Sequence, residues 1–175
     1  MLLTAATAAA CTSDPTTPPP SSTVASPSSA GRPSRSPADT AGRKAVDVYI
    51  EMWQNMASAA RTSDWQSPLL SEFTTGEALN TISRGLYTDH QNGLVTKGAP
   101  KNSPSVSTVE PPDNPTKVMI TDCGDSTNWL KYRADTGELA DDEPGGRRAI
   151  TAVVNLQGNG SWMVSDFAVQ ELGTC

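Results

Sequence analysis

Residues 149–169, AITAVVNLQGNGSWMVSDFAV, decide the fold class. Ile150, Ala152, Val154 and Leu156 alternate with polar or smaller neighbours, which is the period of a half-buried strand. Gly158-Asn159-Gly160 supplies a turn, and the apolar pattern resumes over Trp162 to Val169. The segment therefore predicts an antiparallel hairpin. Further strands are expected upstream at Leu94 to Lys97, Val106 to Glu110, Lys117 to Asp122 and Asn128 to Arg133. Turn chemistry separates them at Pro111-Pro112-Asp113-Asn114-Pro115, Asp135-Thr136-Gly137 and Pro144-Gly145-Gly146.

Ahead of the strands the spacing changes to that of helices. Ala45, Val48, Met52, Met56 and Ala59 recur at three- and four-residue steps, and Tyr49 and Trp53 widen the stripe to the broad apolar face of a core-packed helix over about 42–61. Ser67-Pro68 marks the start of a short second helix carrying Leu69, Leu70 and Phe73. Thr74-Thr75-Gly76-Glu77 fits a capping box in which Thr74 and Glu77 serve each other's backbone. The helix that follows, with Ala78, Leu79, Ile82 and Leu86 on one face, should stop near His90 because Asn92-Gly93 is a strong terminator. Helices grouped first and strands grouped after them predict an α+β fold, with helices covering one face of an antiparallel sheet.

The amino-terminal quarter has a different character. Residues 12–40 contain 7 Pro, 8 Ser and 5 Thr, so 20 of 29 positions there are of these three types. Such a segment buries too little apolar surface to offset the entropy of ordering it. Residues 12–41 are thus expected to be a disordered tether, and 42–175 a single globular domain. Before the tether, MLLTAATAAA runs directly into Cys11. Small residues before a Cys suit a lipoprotein signal, and Cys11 is the expected lipidation site. No Lys or Arg precedes Arg32, so the basic n-region of an export signal is missing and the true start is expected upstream. The competing reading is a coincidental Ala-rich leader on a cytosolic protein.

With Cys11 lipidated, Cys123 and Cys175 remain. An exported chain meets an oxidising compartment, where a pair of Cys is expected to be bridged. Two free buried thiols, or a nucleophilic Cys, are the alternatives; the second would need His90 as its base, since that is the one His of the chain.

Thr75-Gly76-Glu77-Ala78-Leu79, Arg84-Gly85-Leu86-Tyr87-Thr88-Asp89-His90, the run from Asp122-Cys123-Gly124-Asp125 through Trp129-Leu130-Lys131-Tyr132, and the ending Gly173-Thr174-Cys175 resemble a group of exported lipoproteins of high-GC actinobacteria. That group is similar to the nuclear transport factor two-like superfamily. The resemblance spans about 42–175 and implies amino-terminal helices folded over a strongly curved sheet, in a cone with a pocket between the two layers. It brings an extracytoplasmic, membrane-anchored or secreted location but no chemistry. Enzymes of such cones use a general base in the pocket, which makes Tyr87, Asp89, His90, Asp122 and Tyr132 the candidates here. The plainer reading is that Tyr87 to His90 cap a helix end and face water, and that Asp122 shapes a turn beside Cys123.

Composition excludes other classes. The chain carries 13 Lys plus Arg against 19 Asp plus Glu, a balance that argues against a nucleic-acid partner. One His and three Cys leave a zinc cluster almost without ligands. Asp122, Asp125 and Asn128 miss the spacing of a calcium loop, so no metal is expected. No Gly-rich phosphate loop, Gly-x-Ser-x-Gly elbow or Cys-x-x-Cys pair is present, and no cofactor is expected. No run of about 18 apolar residues predicts an internal membrane span. Glu138, Asp141, Asp142 and Glu143 followed by Arg147 and Arg148 read as a solvated hairpin tip or as an edge for a basic partner. The leading expectation is a lipid-anchored extracytoplasmic domain that binds a small ligand or a protein partner. The alternative is a small-molecule isomerase or dehydratase using a pocket Asp or His.

Overall fold

The computed structural model describes residues 35–140 and 145–175. Cys11, the leader, most of the expected tether and the acidic residues Asp141, Asp142 and Glu143 lie outside the described residues. Within them the fold is α+β: helices α1 (Pro37–Ala60), α2 (Leu70–Phe73) and α3 (Gly76–Gln91) precede strands β1 (Leu94–Lys97), β2 (Ser105–Glu110), β3 (Lys117–Asp125), β4 (Leu130–Arg133), β5 (Arg147–Leu156) and β6 (Trp162–Val169). Among these residues no helix is long and apolar enough to cross a membrane.

Helix α1 begins at Pro37, five residues before the apolar stripe suggests. Ser36 is its N-cap, accepting from the Asp39 N–H at 3.0 Å, and Pro37 occupies the first helical position, where its missing N–H costs nothing. Ala45, Tyr49, Met52, Trp53 and Ala59 are buried, and Val48 and Met56 pack against the same core. The capping box expected at Thr74 does not form. Thr74 is buried, its hydroxyl donates to the Leu70 carbonyl, and Thr75 is the N-cap of α3 without a side-chain bond. Instead the Thr75 N–H donates to Val164 O at 2.9 Å, so β6 sets where α3 starts. The Glu77 carboxylate turns outward to Thr81 and Arg84. At the other end Asn92 caps α3 and Gly93 takes φ 64°, the left-handed stop expected there.

The strands form two sheets where one was expected. Four pair antiparallel in the order β2-β3-β5-β6, and β1 pairs antiparallel with β4. After Asp125 the chain turns, with Trp129 N–H donating to Ser126 O at 2.9 Å, and this carries β4 off the larger sheet onto β1. Gly98 permits the crossing: its φ is 86°, and a Cβ there would lie 1.9 Å from Asn128 O. The hairpin of β5 and β6 is present, with Val154 opposite Val164 and Leu156 opposite Trp162. Ile150, Ala152 and Val154 point into the core as their alternation implies, whereas Leu156 is exposed at the strand end. On β3 the inward residues are Val118, Ile120, Asp122 and Gly124. Cys123 and Cys175 form a disulfide, with Cα atoms 5.9 Å apart, that ties the carboxy terminus to β3. Gly173 N–H to Arg147 O and Ala149 N–H to Thr174 Oγ1, both 2.8 Å, hold the same segment against β5.

Candidate functional site

Between the helices and the sheets lies a cavity of about 440 Å³. Its wall is assembled from Trp53 and Met56 on α1, Ile82, Leu86 and Asp89 on α3, Trp129 and Lys131 on the β4 arm, Arg148 and Ile150 on β5, and Phe167 on β6. Trp53 organises the aromatic part: Trp129 meets it edge-on at 6.0 Å between centroids and Phe167 at 5.7 Å. Edge-to-face contacts are a favoured arrangement of aromatic pairs, so the wall is aromatic as well as apolar. The volume falls in the range of small-molecule sites, which are largely apolar with a few placed polar groups.

Gly85 is part of this wall. A glycine within a helix costs about 1 kcal/mol relative to alanine. A Cβ at Gly85 would meet nothing within 4 Å, so packing does not require the glycine. Its missing side chain leaves the cavity open on the α3 side, a local cost of the kind found at functional positions.

The candidates are scattered by the fold. Asp89 is buried at 7% exposure on the cavity wall, where its Oδ1 accepts from Lys131 Nζ at 2.6 Å. His90 points the other way, exposed and tilted against Trp65 at 4.4 Å between centroids, and Tyr87, 46% exposed, meets the same Trp65 at 5.4 Å. These two therefore form an external aromatic cluster with Trp65. Tyr132 carries Lys97 Nζ 4.3 Å over its ring, away from the cavity wall.

Asp122 is no turn residue; it is buried inside the fold. Its Oδ2 accepts from the Tyr49 hydroxyl at 3.0 Å and from Asn102 Nδ2 at 2.6 Å, and its Oδ1 accepts from the Ser103 N–H at 2.7 Å. Asn102 lines the cavity, so the network fixes the segment between β1 and β2 that closes one side of it. Burial, with the neighbouring Asp122 charge adding to it, pushes the Tyr49 hydroxyl far above its ordinary range and keeps it a donor. The Trp53 indole N–H opposes that rise. Neither it nor the Trp129 N–H makes a well-formed hydrogen bond among the described residues. Asp125 lies outside this network: the Thr127 hydroxyl and N–H hold its carboxyl below the usual carboxylate range.

Lys131 and Gly85 are wall residues that pattern reading passed over, and Arg148, read as part of a solvated hairpin tip, is instead half-buried on the cavity wall. Arg148 had a visible signal. It shares the inward parity of Ile150, Ala152 and Val154, so a charge was placed on the buried face of a strand. Gly85 had one too, as a glycine inside a helical repeat. The Asp89–Lys131 pair joins residues 42 apart in sequence and had none.

No family model matches the sequence, and comparison with curated proteins gives no match either. Solved structures do align. The intermembrane-space region of the chloroplast protein ARC6 superposes with a TM-score of 0.52 at 20% identity, over 78% of this chain and 98% of that one. A ketosteroid isomerase-like protein from Erwinia carotovora atroseptica aligns with a TM-score of 0.44 at 9% identity, over 74% of this chain and 94% of its own. A protein of Catenulispora acidiphila in complex with S-DNPA gives 0.44 at 15% identity, over 71% and 93%. At these identities the likeness to the ARC6 region is one of fold: the chain has an α+β architecture of helices over antiparallel strands, enclosing a cavity.

Proposed function

We propose that this is the folded domain of a lipid-anchored, extracytoplasmic protein that binds a small apolar ligand in its cavity without catalysing a reaction. The observation that carries the reading is an aromatic-lined cavity of about 440 Å³ whose acidic wall residue, Asp89, is already paired with Lys131. The Cys123–Cys175 bridge supports an oxidising compartment. The leader ending at Cys11 and the Pro/Ser/Thr stretch after it support a membrane anchor on a tether. A net charge of −6 supports a partner other than nucleic acid. The resemblance to the nuclear transport factor two-like superfamily supports ligand binding between helices and sheet.

The enzymatic alternative, an isomerase or dehydratase, retains Asp89 as its base and loses His90 to the outer surface.

Fluorescence titration with N-phenylnaphthylamine, a neutral probe that brightens in apolar sites, tests the binding reading. We expect saturable binding at one site, weakened about tenfold or more by Gly85→Trp, whose ring enters the open space above α3. A wild-type chain that shows no saturable binding refutes the reading.

A further inference from the structure

The inward faces of the central strands carry a short list of polar groups, and they are treated unequally. On β3, Asp122 has both oxygens engaged by Tyr49, Asn102 and Ser103. Facing Gly124 across the β3–β5 pairing stands Arg148, half-buried on the cavity wall. Its Nη1 donates to Gln170 O at 3.3 Å, and among the described residues it has no carboxylate within ion-pair distance. A guanidinium offers five donors in a planar fork, so most of this one is unspent. The second cation of the wall, Lys131, is neutralised by Asp89 at 2.6 Å. Among the described residues the charges on the wall therefore sum to that of Arg148, set among Trp53, Trp129, Phe167 and Ile150.

With no carboxylate partner among the described residues, a half-desolvated cation next to apolar walls favours an anion, which gains a charge-assisted bond there in low dielectric. Resting on the ligand-binding reading above, we propose that the ligand is an apolar molecule bearing a single anionic group, carboxylate or sulfonate, which the Arg148 guanidinium holds while the body lies against the aromatic wall. A neutral apolar ligand would leave the fork unpaired. A dianion would leave one charge without a partner, because Asp89 already occupies Lys131.

The test compares two probes that share one ring system, anilinonaphthalene sulfonate and neutral N-phenylnaphthylamine, on the full chain. The readout is the ratio of their affinities. In the wild type the sulfonate should bind about tenfold tighter, equivalent to ~1.4 kcal/mol. Arg148→Gln should bring the ratio to about one, and Arg148→Lys, which keeps the charge but loses the fork, should restore about threefold. Lys44→Gln, the same charge loss on the exposed side of α1, serves as the control and should leave the ratio at its wild-type value. Equal affinities in the wild type overturn the anion site while leaving the cavity reading standing, and a preference that survives Arg148→Gln overturns the assignment of Arg148. Absence of binding by both probes refutes the cavity reading itself. Competition then separates ligand sources: displacement of the sulfonate by naphthoate points to ring acids and by decanoate to acyl chains, and displacement by neither overturns the proposal.

Discussion

The Tyr49 hydroxyl donates to Asp122 Oδ2 at 3.0 Å across 73 residues of sequence, joining α1 to the centre of the larger sheet through the core. Tyr49 has no solvent exposure, so this bond is made without competition from water. Tyr49→Phe removes one of three donors to Asp122 and should lower the free energy of unfolding by about 1–2 kcal/mol. Asp122→Ala strands three donors and should cost more. Urea denaturation of the two variants checks the order, and a Tyr49→Phe variant as stable as wild type would show that the bond contributes nothing net.

The same bond carries a pH signature. In the folded chain the Tyr49 proton is held far above the tyrosine value of about 10 that applies to the unfolded chain. Below pH ~10 both states keep the proton and the contribution is fully present. Above it the unfolded chain releases the proton and the folded chain does not, so stability falls as pH rises. The margin of wild type over Tyr49→Phe should therefore shrink from about pH 10 upward. Unfolding midpoints of the pair from pH 8 to 11 measure it, and a constant margin across that window would count against the account.

At the cavity, Asp89 and Lys131 are unequally buried, their side chains 10% and 45% exposed. Solvent screening at the lysine limits the pair to about 0.5–1 kcal/mol. A double-mutant cycle of Asp89→Asn and Lys131→Met should return a coupling of that size. Zero coupling would show that the lysine is free to serve a ligand, contrary to its assignment here.

The Cys123–Cys175 bridge closes a loop spanning 52 positions. On the chain-entropy account it stabilises the fold by about 4 kcal/mol. Cys175→Ser should show most of that loss in thermal or chemical unfolding, and the intact mass of the wild-type chain should rise by two hydrogens for this bridge on reduction. An unchanged mass under denaturing reduction would mean that the bridge does not form.

For the anchor, metabolic labelling with palmitate decides. Incorporation into the wild-type protein and none into Cys11→Ala, both made in the native host, is the expected result. Equal labelling of the two proteins would remove the lipid from the proposal.

Much of the fold was legible because its signals are local. The parity of Ile150, Ala152 and Val154, the turn at Gly158 to Gly160 and the stop at Asn92-Gly93 each need only a few neighbouring residues. What escaped depends on contacts between distant segments. Thr74 looked like a cap until Val164 claimed the Thr75 N–H, and one sheet became two because Gly98 lets the chain pass under Asn128. The site divided along the same line. Asp89 could be picked out by type, but its pairing with Lys131 and the outward turn of His90 follow from how α3 sits on the strands. Arg148 stood at the inward parity of Ile150, Ala152 and Val154, a signal legible in the sequence but outweighed there by the run of charges that reads as a hairpin tip.

The disulfide also bears on how the protein should be made for experiments. Gln170, whose carbonyl steadies Arg148, belongs to the carboxy-terminal strap that ends at Cys175. The apolar core from Tyr49 to Val164 does not include that strap. In reduced material the strap is left to its hydrogen bonds with β5, Gly173 N–H to Arg147 O and Ala149 N–H to Thr174 Oγ1, and the fold to the stability that remains without the bridge. The position of Gln170 beside Arg148 is therefore best preserved in the bridged form, which oxidative refolding or periplasmic export supplies.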